Sequence, residues 1–188
     1  MDFDFFTTHP LEASRLPNEL PFLKGAILEQ QAENTGTFLI GRGKDSVAIS
    51  FFGGLSFGRV SDPIRFSDNG VYAAGLLDLA AQKMRVIQQR AKAKDYQDIH
   101  KLLSEGVTLE EALGAAQALF PEFNPSVSLK ALSYFNDVAQ LPQGIQQDLI
   151  AAASRVRGIS PLTKYRDSLL PDLDSKEKAR GMEIEPEL

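Results

Sequence analysis

Part of the chain alternates hydrophobic and polar positions with the period of two that is typical of strands. In DFDFFT at the start, Phe3, Phe5 and Thr7 alternate with a second set of positions that contains both acids, which predicts a strand. Thr37–Arg42 and Ser46–Phe52 flank the sequence GKD and predict a hairpin. The turn sequence GRGKDS is not interpreted as a phosphate loop, because it lacks the Walker spacing and no helix follows it.

Apolar spacings of three to four residues predict helices elsewhere. From Leu11 to Ala32 this spacing favours two short helices, because Pro17 and Pro21 interrupt the pattern. A loop rich in Gly, Ser and Asp follows the hairpin, and Val71–Ala73 is predicted as a short strand. A long helix with one apolar face is then predicted to open near Ala74.

The chain beyond Gly106 is predicted to be entirely helical. Thr108 begins a TxxE capping box. The predicted helices in this part are Thr108–Phe120, Ser126–Val138 and Pro142–Arg155. Asp172–Leu188 is acidic, contains Pro186, and is predicted to be a frayed tail.

Composition limits the classes of function. The chain has 188 residues, 43% of them apolar, which suits one domain of ordinary size with or without a small appendage. The absence of Cys and the presence of only two His exclude disulfides, thiolate metal sites and a His-rich zinc site. No apolar run could span a bilayer and no signal peptide is present, so we expect a cytoplasmic location. A net charge of −5 argues against nucleic-acid binding by the whole surface but permits a local basic face.

Asp2 and Asp4 form the first candidate site. Side chains at i and i+2 of a strand point to the same side, about 6–7 Å apart. This spacing suits two carboxylates that share one or two hydrated Mg²⁺ ions. The alternative is a solvated strand face with two ordinary surface acids, since a lone DxD is common.

The basic segment between Lys83 and Asp98 forms the second candidate site. Its cations, predicted to lie within about three helical turns, are Lys83, Arg85, Arg90, Lys92 and Lys94. The carboxylates of Asp95 and Asp98 follow them, which favours a phosphate-handling surface that the fold is expected to bring to Asp2 and Asp4. The alternatives are a solvated helical face for the cations and a role for Asp95 at the start of the next helix, where an acid is favoured anyway.

Three stretches together resemble one protein family. DFDFF at Asp2–Phe6 is similar to the family's DxD strand, LLDLAAQKMRVIQQRAKAKDYQDIHKLL at Leu76–Leu103 to its Lys…RDxxDL helix pair, and LKALSYFNDV at Leu129–Val138 to a late helix. The family comprises the AbiEii/AbiGii-type nucleotidyltransferases, toxins of abortive-infection and toxin–antitoxin systems that include the MenT-type tRNA-modifying toxins. The resemblance implies an α+β fold of the polymerase-β superfamily, with a small mixed sheet and a C-terminal helical bundle. The implied regions are a nucleotidyltransferase core at 1–105, a helical region at 106–170 and an acidic tail at 171–188.

The resemblance also implies roles for individual residues. Asp2 and Asp4 are expected to bind Mg²⁺, and the implied catalytic residues are Asp2, Asp4, Lys83 and Asp95. Asp98 is a further candidate beside Asp95, and Arg90 joins Lys83 in binding the phosphates of the nucleotide. An acceptor RNA is expected to make salt-sensitive contacts with the basic segment at Arg85, Arg90, Lys92 and Lys94.

The chain departs from the family pattern at three points. The family has a Gly-Gly…Ser segment upstream of DxD that holds the triphosphate; this chain begins after that point, and Gly53-Gly54 is in the wrong place to replace it. The expected neighbouring strand, Val47–Phe51, offers only Ser50 where related enzymes often carry a third carboxylate. Lys94 replaces the Arg of RDxxDL, which keeps the charge but loses the bidentate fork. Either the start codon is placed too late, or this is a shortened relative that no longer catalyses transfer.

The favoured function is transfer of a nucleoside monophosphate from a nucleoside triphosphate to a hydroxyl of RNA, including tRNA, or of protein, provided that the upstream segment is present. The alternative is a catalytically degenerate module of the same fold that binds nucleotide, RNA or a cognate antitoxin. A third hypothesis places the working surface in the helical C-terminal half, as a docking surface for the antitoxin. No membrane partner is expected.

Overall fold

Strands dominate the first part of the chain and helices the remainder. The computed structural model describes residues 2–43, 45–67 and 70–170, so the tail predicted at 171–188 lies outside the described residues. A mixed four-stranded sheet comes first and the longer helices follow. The predicted α+β fold with a small mixed sheet is therefore confirmed.

The described residues divide into two units. The first contains the residues up to Gly58 together with Arg166–Leu169. The second contains Arg59–Tyr165 together with Leu170. The boundary predicted between residues 105 and 106 lies inside the second unit.

The sheet belongs to the first unit. Its strands are β1 (Asp2–Phe6), β2 (Ile27–Ala32), β3 (Thr35–Arg42) and β4 (Asp45–Phe52). They lie in the order β1-β4-β3-β2, with β1 parallel to β4 and the other neighbours antiparallel. The predicted N-terminal strand and the predicted hairpin are both confirmed.

One face of the sheet is buried by aromatic packing. Phe5 stacks on Phe51 with 5.3 Å between the ring centroids, and Phe38 meets Phe51 edge to face at 6.0 Å. Short helical turns between Ala13 and Leu23 pack against this face. The buried core of the unit consists of Ala13, Leu16, Leu23, Phe38, Ile49 and Phe51. Each large apolar side chain buried in this way stabilises the fold by about 1.5–3 kcal/mol.

The segment that follows the short helical turns is a strand, where apolar spacing predicted a helix. The prediction is correct in part as far as Leu23, where one α-turn, α1 (Leu16–Glu19), lies between two 3₁₀ turns. Gly25 then adopts a φ of +79°, a left-handed conformation that ends the helical turns. Ile27, which lies within the segment predicted as helical, is 67% exposed and belongs to β2, paired with β3. Pairing with a neighbouring strand therefore outweighs the local periodicity.

The second unit contains a small ribbon and five helices among its described residues. The antiparallel ribbon is formed by β5 (Ile64–Arg65) and β6 (Tyr72–Ala73). The helices are α2 (Leu76–Val86), α3 (Ala93–Ser104), α4 (Leu109–Leu119), α5 (Pro125–Ala131) and α6 (Gln143–Arg155). Among the described residues, every helix is too short or too polar to span a bilayer.

The predicted helices of this unit agree with the structure except at two ends. The helix that opens near Ala74 stops at Val86, so it does not carry all of the cations that were predicted to lie on it. The helix predicted to reach Val138 stops at Ala131, before Asn136 and Asp137, two residue types that favour turns. The predicted short strand and the other two late helices are confirmed.

α4 is buried along most of its length. Its buried residues are Leu109, Ala112, Leu113, Gly114, Ala115, Ala116 and Leu119. The predicted capping box is present: the Glu111 backbone N–H donates to Thr108 Oγ1 at 3.2 Å, and the Thr108 N–H donates to Glu111 Oε2 at 3.0 Å. Small side chains let other parts of the unit approach closely, and the backbone of Ser160 crosses α4 directly at Gly114.

We expect Gly114→Ala to lower the free energy of unfolding by about 1–3 kcal/mol, the usual range for overpacking a filled core. A Cβ atom at this position would overlap the carbonyl oxygen of Ser160. Gly144→Ala on α6 is the matched control, because a Cβ there meets no atom within 4 Å. Urea unfolding of both variants measures the effect, and equal stabilities would contradict the close approach.

Candidate functional site

Lys83 joins two aspartates of the next helix in one ion cluster. Its ammonium nitrogen lies 3.0 Å from Asp95 Oδ1 and 2.6 Å from Asp98 Oδ2. Lys83 stands near the end of α2, and the two carboxylates lie one turn apart on α3, so both face the same side of that helix. Asp95 is 1% exposed, which makes it one of the few charged side chains in the described core.

Arg90 completes this ion cluster from the connection between α2 and α3. Its Nε donates to Asp95 Oδ2 at 2.7 Å and its Nη2 donates to Asp95 Oδ1 at 3.0 Å, a bidentate pair. The prediction that Arg90 and Lys92 lie on a continuous helix is therefore wrong. α2 ends at Val86, and the guanidinium of Arg90 reaches the buried carboxylate from the connection that follows.

The charges of this ion cluster hold Asp95 in its ionised form. Burial alone opposes ionisation, but the hydrogen bonds from Arg90 and Lys83 outweigh burial and lower the pKa of Asp95. Behind it, Tyr96 packs edge to face on Phe135 at 5.5 Å, and burial together with the nearby Asp95 charge raises the pKa of Tyr96. A fixed anion of this kind can orient Lys83 without taking up a proton near neutral pH.

The alternative role of Asp95 as a helix cap is less well supported by its contacts. The N-cap position of α3 is Lys92, whose side chain makes no capping hydrogen bond, and Asp95 lies three residues further on. The carboxylate of Asp95 receives its hydrogen bonds from the side chains of Lys83 and Arg90. Its place in the first turn still favours an acid through the helix dipole.

The remaining predicted cations differ in their surroundings. Arg85 forms an ion pair with Glu122 at 3.0 Å, and its guanidinium lies 4.6 Å from the centre of the Phe120 ring. The Arg85 side chain therefore contacts the segment that follows α4. Lys92 and Lys94 are exposed at the start of α3. Of the cations proposed for RNA, Arg90 is exposed as well, but its guanidinium is committed to Asp95.

Asp2 and Asp4 lie on β1, an edge strand of the sheet. The side chain of Asp4 is exposed, and that of Asp2 lies outside the described residues. Asp4 pairs in register with Ser50 of β4, whose hydroxyl lies 3.2 Å from the hydroxyl of Thr37 on β3. β4 is thus the neighbouring strand that was predicted from the sequence, and the residue opposite Asp4 is a serine.

The described donor atoms beside β1 could contribute to binding a hydrated Mg²⁺ ion. Within the described residues, no group of three or more His, Cys, Asp or Glu side chains could hold a metal. Mg²⁺ usually keeps several waters and takes one or two carboxylates together with substrate phosphates. The exposed carboxylate of Asp4 and the hydroxyl of Ser50 suit that mode of binding.

The two candidate sites belong to different units of the chain. Asp4 lies in the first unit, whereas Lys83 and Asp95 lie in the second. The expectation that the fold brings the acids of β1 to the basic segment stays a prediction.

Sequence reasoning missed a second buried carboxylate. Asp78 on α2 accepts hydrogen bonds from the backbone N–H groups of Val60 and Ser61, at 2.8 and 3.1 Å, and from the Ser61 hydroxyl. These bonds hold the chain entering the second unit against α2. The sequence did contain a signal for this site, because Asp78 lies inside the apolar run LLDLAA. An acid in such a run is expected to be buried and therefore to be hydrogen-bonded.

Comparison with known proteins places the chain in a described family. The family model described as "Nucleotidyl transferase AbiEii toxin, Type IV TA system" matches residues 1–176. An uncharacterised protein of Aquifex aeolicus (strain VF5) is 28% identical over 142 residues, which are 74% of this chain and 66% of the relative. The chain therefore covers less than two thirds of the length of that relative. No solved structure matches significantly.

We expect Asp95→Asn to lower the free energy of unfolding by about 2–4 kcal/mol at neutral pH, because it leaves Lys83 and Arg90 without their buried anion. In the wild type this contribution is present above the ordinary aspartate pKa of 3.8 and is lost as the pH falls through the lower native pKa. Urea unfolding between neutral pH and about pH 3 measures both effects.

Asp95→Asn should lack the part of the pH dependence of the free energy of unfolding that the Asp95 carboxylate contributes in the wild type. Asp148→Asn is the control, because the Asp148 carboxylate is 68% exposed and lies outside the ion cluster. Identical pH profiles for Asp95→Asn and the wild type would contradict the role assigned to this carboxylate.

Proposed function

Since the chain belongs to the AbiEii family of nucleotidyl transferase toxins of type IV toxin–antitoxin systems, we propose that it transfers a nucleoside monophosphate from a nucleoside triphosphate to an acceptor hydroxyl. The observation that carries this proposal is the position of Lys83. Its side chain is 25% exposed, and its ammonium is oriented by the buried carboxylate of Asp95, which Arg90 also pairs with.

Lys83 supplies the positive charge that a triphosphate needs. A preorganised ammonium stabilises the negative charge that develops on the departing pyrophosphate, and it does so without reorganising during the reaction. Asp95 keeps the ammonium in place, and Arg90 keeps Asp95 in place, so the three groups act as one positioned unit. Arg90 is 50% exposed and offers a second cation to the phosphates beside Lys83.

Asp2 and Asp4 are proposed to hold Mg²⁺ together with the phosphates of the nucleotide. When bound there, the metal would neutralise charge on the transferring phosphoryl group and favour ionisation of the acceptor hydroxyl. The chain's own contribution is the exposed carboxylate of Asp4, with the Ser50 hydroxyl on the paired residue of β4 to receive a water or a phosphate oxygen, and Asp2 is proposed as the second acid.

The acceptor is proposed to be an RNA, including tRNA, lying along the start of α3. Lys92 and Lys94 are exposed cations there, and Lys94 directly precedes Asp95 in the chain. A cognate antitoxin is the proposed protein partner, in keeping with the family. A protein hydroxyl is the alternative acceptor.

A binding module without catalysis is the second candidate function. The observation that favours it is the serine opposite Asp4, where related enzymes often carry a third carboxylate. Such a module would still bind nucleotide or RNA through Lys83 and the basic residues around it, but it would transfer nothing. Turnover of a radiolabelled nucleoside triphosphate by the full natural protein separates the two functions.

We expect Asp4→Asn to weaken magnesium-dependent nucleoside triphosphate binding by at least about tenfold, the scale of loss when a metal site is weakened. Isothermal titration calorimetry with and without Mg²⁺ measures this binding. Asp45→Asn, which removes an exposed acid from β4 of the same sheet, should bind as the wild type does. Unchanged binding by Asp4→Asn would rule out the proposed metal site.

We expect the double variant Lys92→Gln, Lys94→Gln to bind RNA more weakly and with a smaller salt dependence. For single-stranded RNA, log K falls as log salt rises, and each phosphate that the protein no longer neutralises makes this slope shallower by about 0.7. The control is Lys101→Gln with Lys130→Gln, two exposed lysines on α3 and α5. Equal slopes for the two double variants, in filter binding across a salt series, would argue against an RNA face at the start of α3.

A further inference from the structure

The two carboxylates that hold Lys83 are fixed to very different degrees. Asp95 is 1% exposed and receives two further hydrogen bonds from Arg90. The side chain of Asp98 is 38% exposed, and its described partner is the ammonium of Lys83 at 2.6 Å. One carboxylate is therefore locked in place, whereas the other can turn into water without leaving a buried charge behind.

This difference in exposure indicates which of the two carboxylates a phosphate can replace on Lys83. A lysine ammonium has three N–H donors, and the two carboxylates occupy two of them. A phosphate that approaches Lys83 meets the negative charge of Asp98 at close range, which opposes binding. Breaking the Lys83–Asp95 ion pair would leave a buried anion without one of its partners. A ligand is therefore expected to break the ion pair between Lys83 and the more exposed Asp98 instead.

We propose that Asp98 is a resident counter-ion of Lys83, which the polyphosphate of the substrate displaces when it binds. The inference rests on the proposed function, since it takes Lys83 as the phosphate contact. In the ligand-free state Asp98 completes a neutral cluster of two cations and two carboxylates. In the bound state a phosphate oxygen takes its place on Lys83, while Asp95 and Arg90 keep their positions.

The counter-ion also affects which ligands bind. A ligand has to carry enough negative charge to replace a carboxylate at 2.6 Å from the ammonium. Polyphosphates meet this condition better than a monophosphate, because they bring several charges to the same cations. Asp98 therefore selects for triphosphate and pyrophosphate groups over single phosphates.

The test is calorimetric titration with inorganic tripolyphosphate at constant ionic strength. We expect Asp98→Asn to bind tripolyphosphate about three- to tenfold more tightly than the wild type, because the substitution removes the competing charge and keeps the side-chain shape. Inorganic monophosphate should gain more than tripolyphosphate does, so the preference for tripolyphosphate over monophosphate should narrow. Thermal unfolding verifies that the variant is folded.

Two further variants separate the counter-ion from other effects. Glu105→Gln removes one negative charge just after α3, from a carboxylate paired with Lys101 instead, and should leave the affinity unchanged. Lys83→Met should weaken binding, and the double variant with Asp98→Asn should lose the gain. Equal or weaker binding by Asp98→Asn, or an equal gain from Glu105→Gln or in the double variant, would overturn the inference.

The same titrations distinguish this inference from the proposed function. If Lys83→Met weakens binding but Asp98→Asn does not strengthen it, the phosphate contact stands and the counter-ion role fails. If Lys83→Met binds tripolyphosphate as the wild type does, the proposed phosphate contact fails, and the counter-ion role fails with it.

Discussion

The buried carboxylate of Asp95 is the constraint on which the candidate site in the second unit depends. An anion that is 1% exposed has to be paired, and its partners come from two other segments, Lys83 of α2 and Arg90 of the connection. Satisfying this one charge fixes the direction of the connection, the approach of α2 to α3 and the position of the lysine ammonium. Structure and proposed chemistry therefore rest on the same hydrogen bonds.

The balance of charge in this ion cluster explains how the cluster can be stable and still bind an anionic ligand. Two cations face two carboxylates, so the ligand-free cluster is close to neutral. The bidentate pair of Arg90 and Asp95 resists exchange, whereas the pair of Lys83 and Asp98 is partly open to water. A ligand with several negative charges can replace the exposed partner without disturbing the buried one.

Much of the fold and the residues of the candidate site could be predicted from the sequence. The ion pairs between those residues could not. The hairpin, the N-terminal strand and the late helices follow from local patterns, and the resemblance of DFDFF and of Leu76–Leu103 to one family agrees with the family match. Local periodicity failed at Ile27–Ala32, because pairing with β3 outweighs helical spacing. It failed again after Val86, where α2 ends and Arg90 lies on the connection, with its side chain paired to Asp95.

The sequence by itself determined the class of fold, the family and the clustering of cations before two aspartates, because these depend on residue types and spacings along the chain. Only the tertiary structure decided which charge pairs with which. Asp95 and Asp98 look alike in KDYQDI, yet one is buried and clamped while the other is partly exposed. The physical reason is that burial and charge pairing are set by packing between segments, which the order of residues within one segment does not contain.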